Sequence, residues 1–215
     1  MTMEATEIPR KLSTGTTTMA LICSDGVVVG ADTRATAGTF IANTEVRKVF
    51  KIDSNLSMTV AGSVGDAQEL IRIIKAQNEI YKMNENRPLS PKSAASLLSI
   101  ILQQNKMMPF YVELIVAGLD GDEPQIFNLD PIGGSVEESK FSATGSGSYV
   151  AIGFLEDMYK KGITTKEGVK GVARALQLAM RRDSATGNGM KITTITKSGY
   201  TEYTEKDIEK MSQQK

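Results

Sequence analysis

Between about residues 17 and 61 the chain alternates short apolar runs with turn residues. The run TTMALIC and the run VVVGAD stand on either side of Ser24-Asp25-Gly26, and an Asp-Gly turn between two apolar segments predicts a β-hairpin. Further strands are predicted over 49–52 and 56–61, joined through Asp53-Ser54-Asn55, whose side chains favour turns by bonding nearby backbone. The period then changes. Leu70, Ile73, Ile74, Ile80 and Tyr81 recur at helical spacing across 68–83, and Arg87-Pro88 ends that run. Ser90-Pro91 supplies a cap and a first-turn proline for a second helix over 92–105.

Strand patterns resume at 112–119, 125–129 and 141–144, and helical spacing returns over 150–160 and 168–181. Strands at 191–196 and 200–203 and a short charged helix at 207–213 complete the series. The order is therefore strands, two helices, strands, two helices, strands. Segregated runs with hairpin signals, instead of regular strand-helix-strand alternation, predict an α+β layered domain of antiparallel sheets packed with helix pairs. No linker or internal repeat divides it. The opening MTMEATEIPRKLSTG is polar and carries Pro9, Ser13 and Gly15, so it reads as a leader, with order starting at about Thr16.

Composition narrows the chemistry. The 215 residues hold 25 Lys+Arg, 25 Asp+Glu, one Cys and no His, which excludes every mechanism built on imidazole, from Ser-His-Asp triads to His-ligated zinc. Cys23 alone forms no intrachain disulfide, so a reducing compartment is expected. Balanced charge gives no electrostatic footprint for nucleic acid or a membrane surface. No stretch approaches the roughly 18 apolar residues of a spanning helix, and no signal peptide is apparent, so the expected setting is the cytoplasm.

Hydroxyls, carboxylates and amines must then carry the reaction. In Ser13-Thr14-Gly15-Thr16-Thr17-Thr18 the leader meets the first strand, and cutting after Gly15 would leave Thr16 with a free α-amine. One residue then holds a nucleophile and a base, because an α-amine has a pKa of about 7.7 to 8.0 against about 10.4 for an ordinary lysine. Asp32 closes the second strand and Lys48 opens the third; paired, they would hold an ammonium near the Thr16 hydroxyl. In Thr59-Val60-Ala61-Gly62-Ser63-Val64-Gly65-Asp66 a strand runs into a helix, where an amide at Gly62, unobstructed by a Cβ, would approach a substrate carbonyl. Thr144-Gly145-Ser146-Gly147-Ser148 offers hydroxyls ahead of a helix, or simply caps it. Asp183, Ser184 and Thr186 follow a helix and would orient the Thr16 amine, while Gly187 reads equally as a helix C-cap.

Taken together, TGTTT at the leader boundary, GAD at 30–32, RK at 47–48, AGSVGDAQ at 61–68, TGSGS at 144–148 and RDSATG at 182–187 resemble the β-type subunit of the 20S proteasome, in its archaeal form. The resemblance runs from Thr14 to about Tyr203 and implies the N-terminal nucleophile hydrolase fold, two antiparallel β-sheets between layers of α-helices. It implies a propeptide of residues 1–15 removed by self-cleavage at Gly15-Thr16, and a single peptidase domain over 16–215. Thr16 is then the nucleophile of a threonine endopeptidase. Asp32 and Lys48 support the attack, Gly62 gives the oxyanion amide, and Ser146 and Asp183 hold the amine. Thr186 stands where the family commonly has serine, keeping a hydroxyl but adding a methyl.

Ala35, Val46 and Val60 match the family's first specificity pocket and imply cleavage after hydrophobic side chains. The implied assembly is a seven-membered β ring, stacked in two and capped by two α-type rings, fed unfolded proteins by a separate ATP-dependent unfoldase. No cofactor is implied. The alternatives are a small-amide hydrolase on the same fold and a ring subunit with a vestigial site.

Overall fold

The computed structural model describes residues 15–213. The leader expected at 1–15 lies outside the described residues except for Gly15. One five-stranded sheet has the order β10-β1-β2-β11-β12, from β1 Thr18–Cys23, β2 Gly26–Asp32, β10 Phe141–Thr144, β11 Met190–Thr196 and β12 Gly199–Tyr203. A second has the order β5-β6-β7-β8-β9, from β5 Val49–Lys51, β6 Leu56–Gly62, β7 Val112–Asp120, β8 Glu123–Leu129 and β9 Ser135–Glu138. Neighbouring strands are antiparallel throughout both sheets. A small hairpin of β3 Ala35–Ala37 and β4 Phe40–Asn43 stands apart from them.

Helices α1 Val64–Glu85 and α2 Pro91–Gln104 cover the second sheet, and α3 Ser148–Met158 and α4 Thr165–Arg182 cover the first. Helix α5 Glu205–Gln213 packs beside α4. The strand period of two explains the layering, because successive side chains go to opposite faces. On β1, Met19, Leu21 and Cys23 join the α3–α4 core, while Ala20 meets Val27, Val29, Ile115 and Ile126 between the sheets. On β6, Leu56, Met58 and Val60 pack under α1 and α2. The result is the expected α+β sandwich, two antiparallel sheets between helix layers. A Cβ on Gly30 of β2 would lie 2.4 Å from Val172 Cγ1, so glycine here lets α4 close on the sheet.

Helix ends follow local chemistry. Ser63 and Ser90 accept backbone N–H bonds at the starts of α1 and α2, and Pro91 occupies the first turn of α2. Thr164 and Glu167 form a reciprocal capping box on α4. Gly187 does not cap α4. Asp183 is the C-cap, and the Gly187 N–H is committed elsewhere, to Asp32. Strands β3, β4 and β9 were not foreseen, since β4 and most of β9 are exposed, and their sequences FIAN and SVEE carry no buried face to set an alternating pattern.

Register decides where chemistry gathers. Thr18 pairs with both Ala31 and Thr144, and Met190 pairs with Asp32. The start of β1, the ends of β2 and β10 and the approach to β11 therefore share one rim of the first sheet. The start of β5, the end of β6 and the start of β7 form the matching rim of the second, through the pairs Val49 with Thr59 and Gly62 with Val112. Glu113 Oε2 accepts the Gly145 N–H at 3.0 Å and joins the two rims.

Candidate active site

Thr16 sits at that rim, buried just ahead of β1 with Gly15 still attached to it. Its hydroxyl donates to the Gly15 carbonyl oxygen at 2.6 Å. The Lys48 ammonium reaches the same oxygen at 3.4 Å and pairs with Asp32 Oδ1 at 2.7 Å. The pair is almost wholly shielded, with side-chain exposures of 5% for Lys48 and 0% for Asp32. Burial therefore dominates the Lys48 pKa and pulls it below the ordinary lysine range; facing Asp32 opposes that shift without cancelling it.

Asp32 is a hub. Its Oδ1 also accepts the Thr17 N–H at 2.9 Å, and its Oδ2 accepts the N–H groups of Arg34 at 3.1 Å and Gly187 at 3.0 Å. A carboxylate with four donors is held in one orientation, so it fixes Lys48 in turn.

On the other side of Thr16, its N–H donates to Ser146 Oγ at 3.3 Å, and Ser146 Oγ donates to Asp183 Oδ2 at 2.5 Å. Thr186 Oγ1 donates to the same oxygen at 2.5 Å and exchanges a 2.7 Å hydrogen bond with Thr17 Oγ1. Thr186 makes both bonds from a fully buried side chain. Ser146 does not cap α3: the N-cap is Gly147 and no side chain bonds there, so the hydroxyl is free for Asp183.

A cleft of about 370 Å³ opens beside Gly15 and Thr16. Ala35, Val46 and Val60 line it, together with Phe50, Ala42 and Ala67, which the sequence did not single out. Gly62 lines it as well, but its need for glycine arises on the far side. Its φ is +135°, and a Cβ would lie 2.0 Å from the Tyr111 carbonyl oxygen. Gly15 is buried, and a Cβ on it would fall 1.8 Å from Ala185 Cβ. The structure thus brings Gly15, Thr16, Asp32, Lys48, Gly62, Ser146, Asp183 and Thr186 to one rim.

Sequence reasoning missed Thr17, Arg34 and Thr36. Arg34 donates to Ser184 O at 2.7 Å and to Asn188 Oδ1 at 2.8 Å, clamping the 183–188 loop against the site. Its position two residues after Asp32 was the only signal in the chain. Among the described residues there is no cluster of His, Cys, Asp or Glu able to hold a metal ion.

A four-layered α+β sandwich with a buried threonine, a lysine-aspartate pair and a hydroxyl-carboxylate chain at one rim defines the class. A family model described as Proteasome subunit matches residues 12–195, and the chain belongs to the proteasome subunit family. Its similarity runs to the β type. It is 46% identical over 197 residues to a protein of Methanohalophilus mahii named Proteasome subunit beta, covering 92% of this chain and 94% of that one. Proteins of the same name from Methanosarcina mazei and Methanocaldococcus vulcanius are 45% identical over 186 residues and 44% identical over 198. The first of these alignments covers 86% of this chain and 89% of the relative, and the second 92% and 89%.

Proposed function

We propose that this chain is the catalytic β subunit of a 20S proteasome, a threonine endopeptidase made active by its own cleavage between Gly15 and Thr16. The observation that carries the reading is the convergence on one carbonyl: the Thr16 hydroxyl and the Lys48 ammonium both reach the Gly15 oxygen. In the uncleaved chain Thr16 Oγ attacks the Gly15 carbonyl carbon. The C–N bond to Thr16 breaks as that nitrogen receives the proton given up by the hydroxyl, and an ester between Gly15 and Thr16 Oγ remains. Water then hydrolyses the ester to a Gly15 carboxylate and the Thr16 hydroxyl, which leaves Thr16 with its hydroxyl restored and its amine free. Residues 1–15 are then the propeptide, and 16–215 the mature domain.

In the mature chain the same oxygen attacks a substrate carbonyl. The Thr16 amine accepts the hydroxyl proton and passes it to the leaving amine, and water later releases the acyl group by the same route. Lys48, oriented by Asp32, places positive charge beside the developing alkoxide, and the Gly62 amide receives the oxyanion. Ser146 already accepts from the Thr16 nitrogen and leans on Asp183, with Thr186 supporting that carboxylate, so the amine is held where it is released. The apolar lining from Ala35, Val46, Val60 and Phe50 favours cleavage after hydrophobic side chains.

The names of the relatives support assembly into a proteasome; the setting we propose is a seven-membered β ring, paired, capped by α-type rings, in the cytoplasm and fed unfolded chains by a separate ATP-dependent unfoldase. Thr16→Ala in the assembled particle tests the chemistry. Mass spectrometry is expected to show residues 1–15 retained, with no turnover of a fluorogenic peptide.

A further inference from the structure

Gly15 is pinned on three sides. Its carbonyl oxygen meets the Thr16 hydroxyl and Lys48, its α-carbon faces Ala185, and its N–H donates to Thr36 Oγ1 at 2.9 Å. Both partners in this last bond are buried. Thr36 lies on β3 between Ala35, half-buried, and Ala37, exposed, so it is the inward-facing residue of that short strand.

Glycine has the greatest backbone freedom of any residue, and a scissile carbonyl hinged on it samples many orientations unless its flanking amide is fixed. The Thr36 hydroxyl supplies that restraint from the N-terminal side, opposite the Thr16 nucleophile. We propose that Thr36 is a positioning residue for self-cleavage: its hydroxyl, by accepting the Gly15 N–H, holds the Gly15 carbonyl in line with Thr16 Oγ. This rests on the reading of Thr16 as the self-cleaving nucleophile. It gives that step a side chain that acts through Gly15, and the bond ceases to exist once residues 1–15 depart.

The test uses the full chain assembled with its α-type partner. Thr36→Val keeps the side-chain shape and removes the acceptor, leaving a buried N–H unpaired, and Thr36→Ser restores the acceptor. Appearance of the chain beginning at Thr16 is followed by mass spectrometry. A parallel set of chains, produced to begin directly at Thr16, is assayed for peptide turnover. Thr36→Val is expected to slow processing about tenfold, the scale of one buried hydrogen bond lost. Thr36→Ser is expected to return it to within about twofold, and turnover of the pre-trimmed Thr36→Val chain to fall at least about fivefold less than processing does.

Wild-type processing in Thr36→Val, equal slowness in Thr36→Ser, or an equal loss in pre-trimmed turnover would each overturn the role of Thr36. If wild-type chain is never trimmed, or Thr16→Ala is trimmed normally, the nucleophile reading fails and Thr36 with it. Those controls separate the two failures.

Discussion

Asp32→Asn is the sharpest perturbation of the site. Asp32 Oδ2 accepts two N–H groups, from Arg34 and Gly187, and Oδ1 accepts from Thr17 and Lys48. An asparagine keeps one acceptor oxygen, but its NH2 group must then face two donors, either the Arg34 and Gly187 pair or the Thr17 and Lys48 pair. The charge that balances Lys48 is also gone. Removing one partner from a shielded ion pair costs about 3–5 kcal/mol, because the remaining charge is stranded. Lys48, already pulled below the ordinary lysine range by burial, is expected to lose its proton and with it the field on the reacting carbonyl.

Stability is to be measured by denaturant unfolding in a Thr16→Ala background, which removes processing from the comparison, and activity by peptide turnover of the pre-trimmed chain. Expected are a stability loss of about 3–5 kcal/mol and a turnover loss of about a hundredfold or more. Adding Lys48→Met should recover much of the stability and none of the activity. An Asp32→Asn chain within about 1 kcal/mol of wild type and fully active would refute the reasoning.

Three further outcomes follow from the same geometry. Gly15→Ala should block processing as followed by mass spectrometry, since its Cβ would lie 1.8 Å from Ala185 Cβ and 2.6 Å from both Cα and O of Ala185, and Ala185→Gly in the same chain should not restore it because the backbone clash stays. Turnover should decline as pH rises through the lowered Lys48 pKa, placing the alkaline limb of kcat/KM below the ordinary lysine value of 10.5. Burial raises the Asp53 pKa, but bonds from Asn78, the Ser54 N–H and Lys82 outweigh it and bring it from 3.8 to about 2. Its stabilisation is present above 3.8 and lost as pH falls through about 2. Discounted for its partial exposure, the effect is about 1 kcal/mol, so Asp53→Asn should differ from wild type by that much at pH 6, and the gap should narrow as pH falls from 3.8 and close only below about 2 in paired denaturant titrations.

Much of the fold was legible because its elements bury a face. The Asp25-Gly26 turn, the Ser90-Pro91 cap and the helical spacing at Leu70 and Ile74 correspond to elements that bury apolar positions, although α1 also buries Asn78 and leaves Ile80 exposed. Strands β3 and β4 lack that imprint, and with them went Thr36. Thr16, Asp32 and Lys48 were readable because each stands at a strand end within a distinctive string.

The reasons for particular glycines were not readable, because they belong to long-range contacts. Gly15 answers to Ala185, and Gly62 to the Tyr111 carbonyl. Gly187 reads as a helix cap until the antiparallel pairing of β2 with β11 brings its N–H to Asp32. Local sequence specifies which residue can turn or cap; it carries no record of which distant atom occupies the space a side chain would need.

The central claim is that Thr16 becomes the first residue and uses its own amine as the base. The most direct measurement takes pre-trimmed chain, assembled with its α-type partner, and compares peptide turnover before and after selective acetylation of the Thr16 α-amine, with mass spectrometry confirming that its hydroxyl is untouched. The account predicts that turnover is abolished. Turnover undiminished by a fully acetylated amine would contradict it.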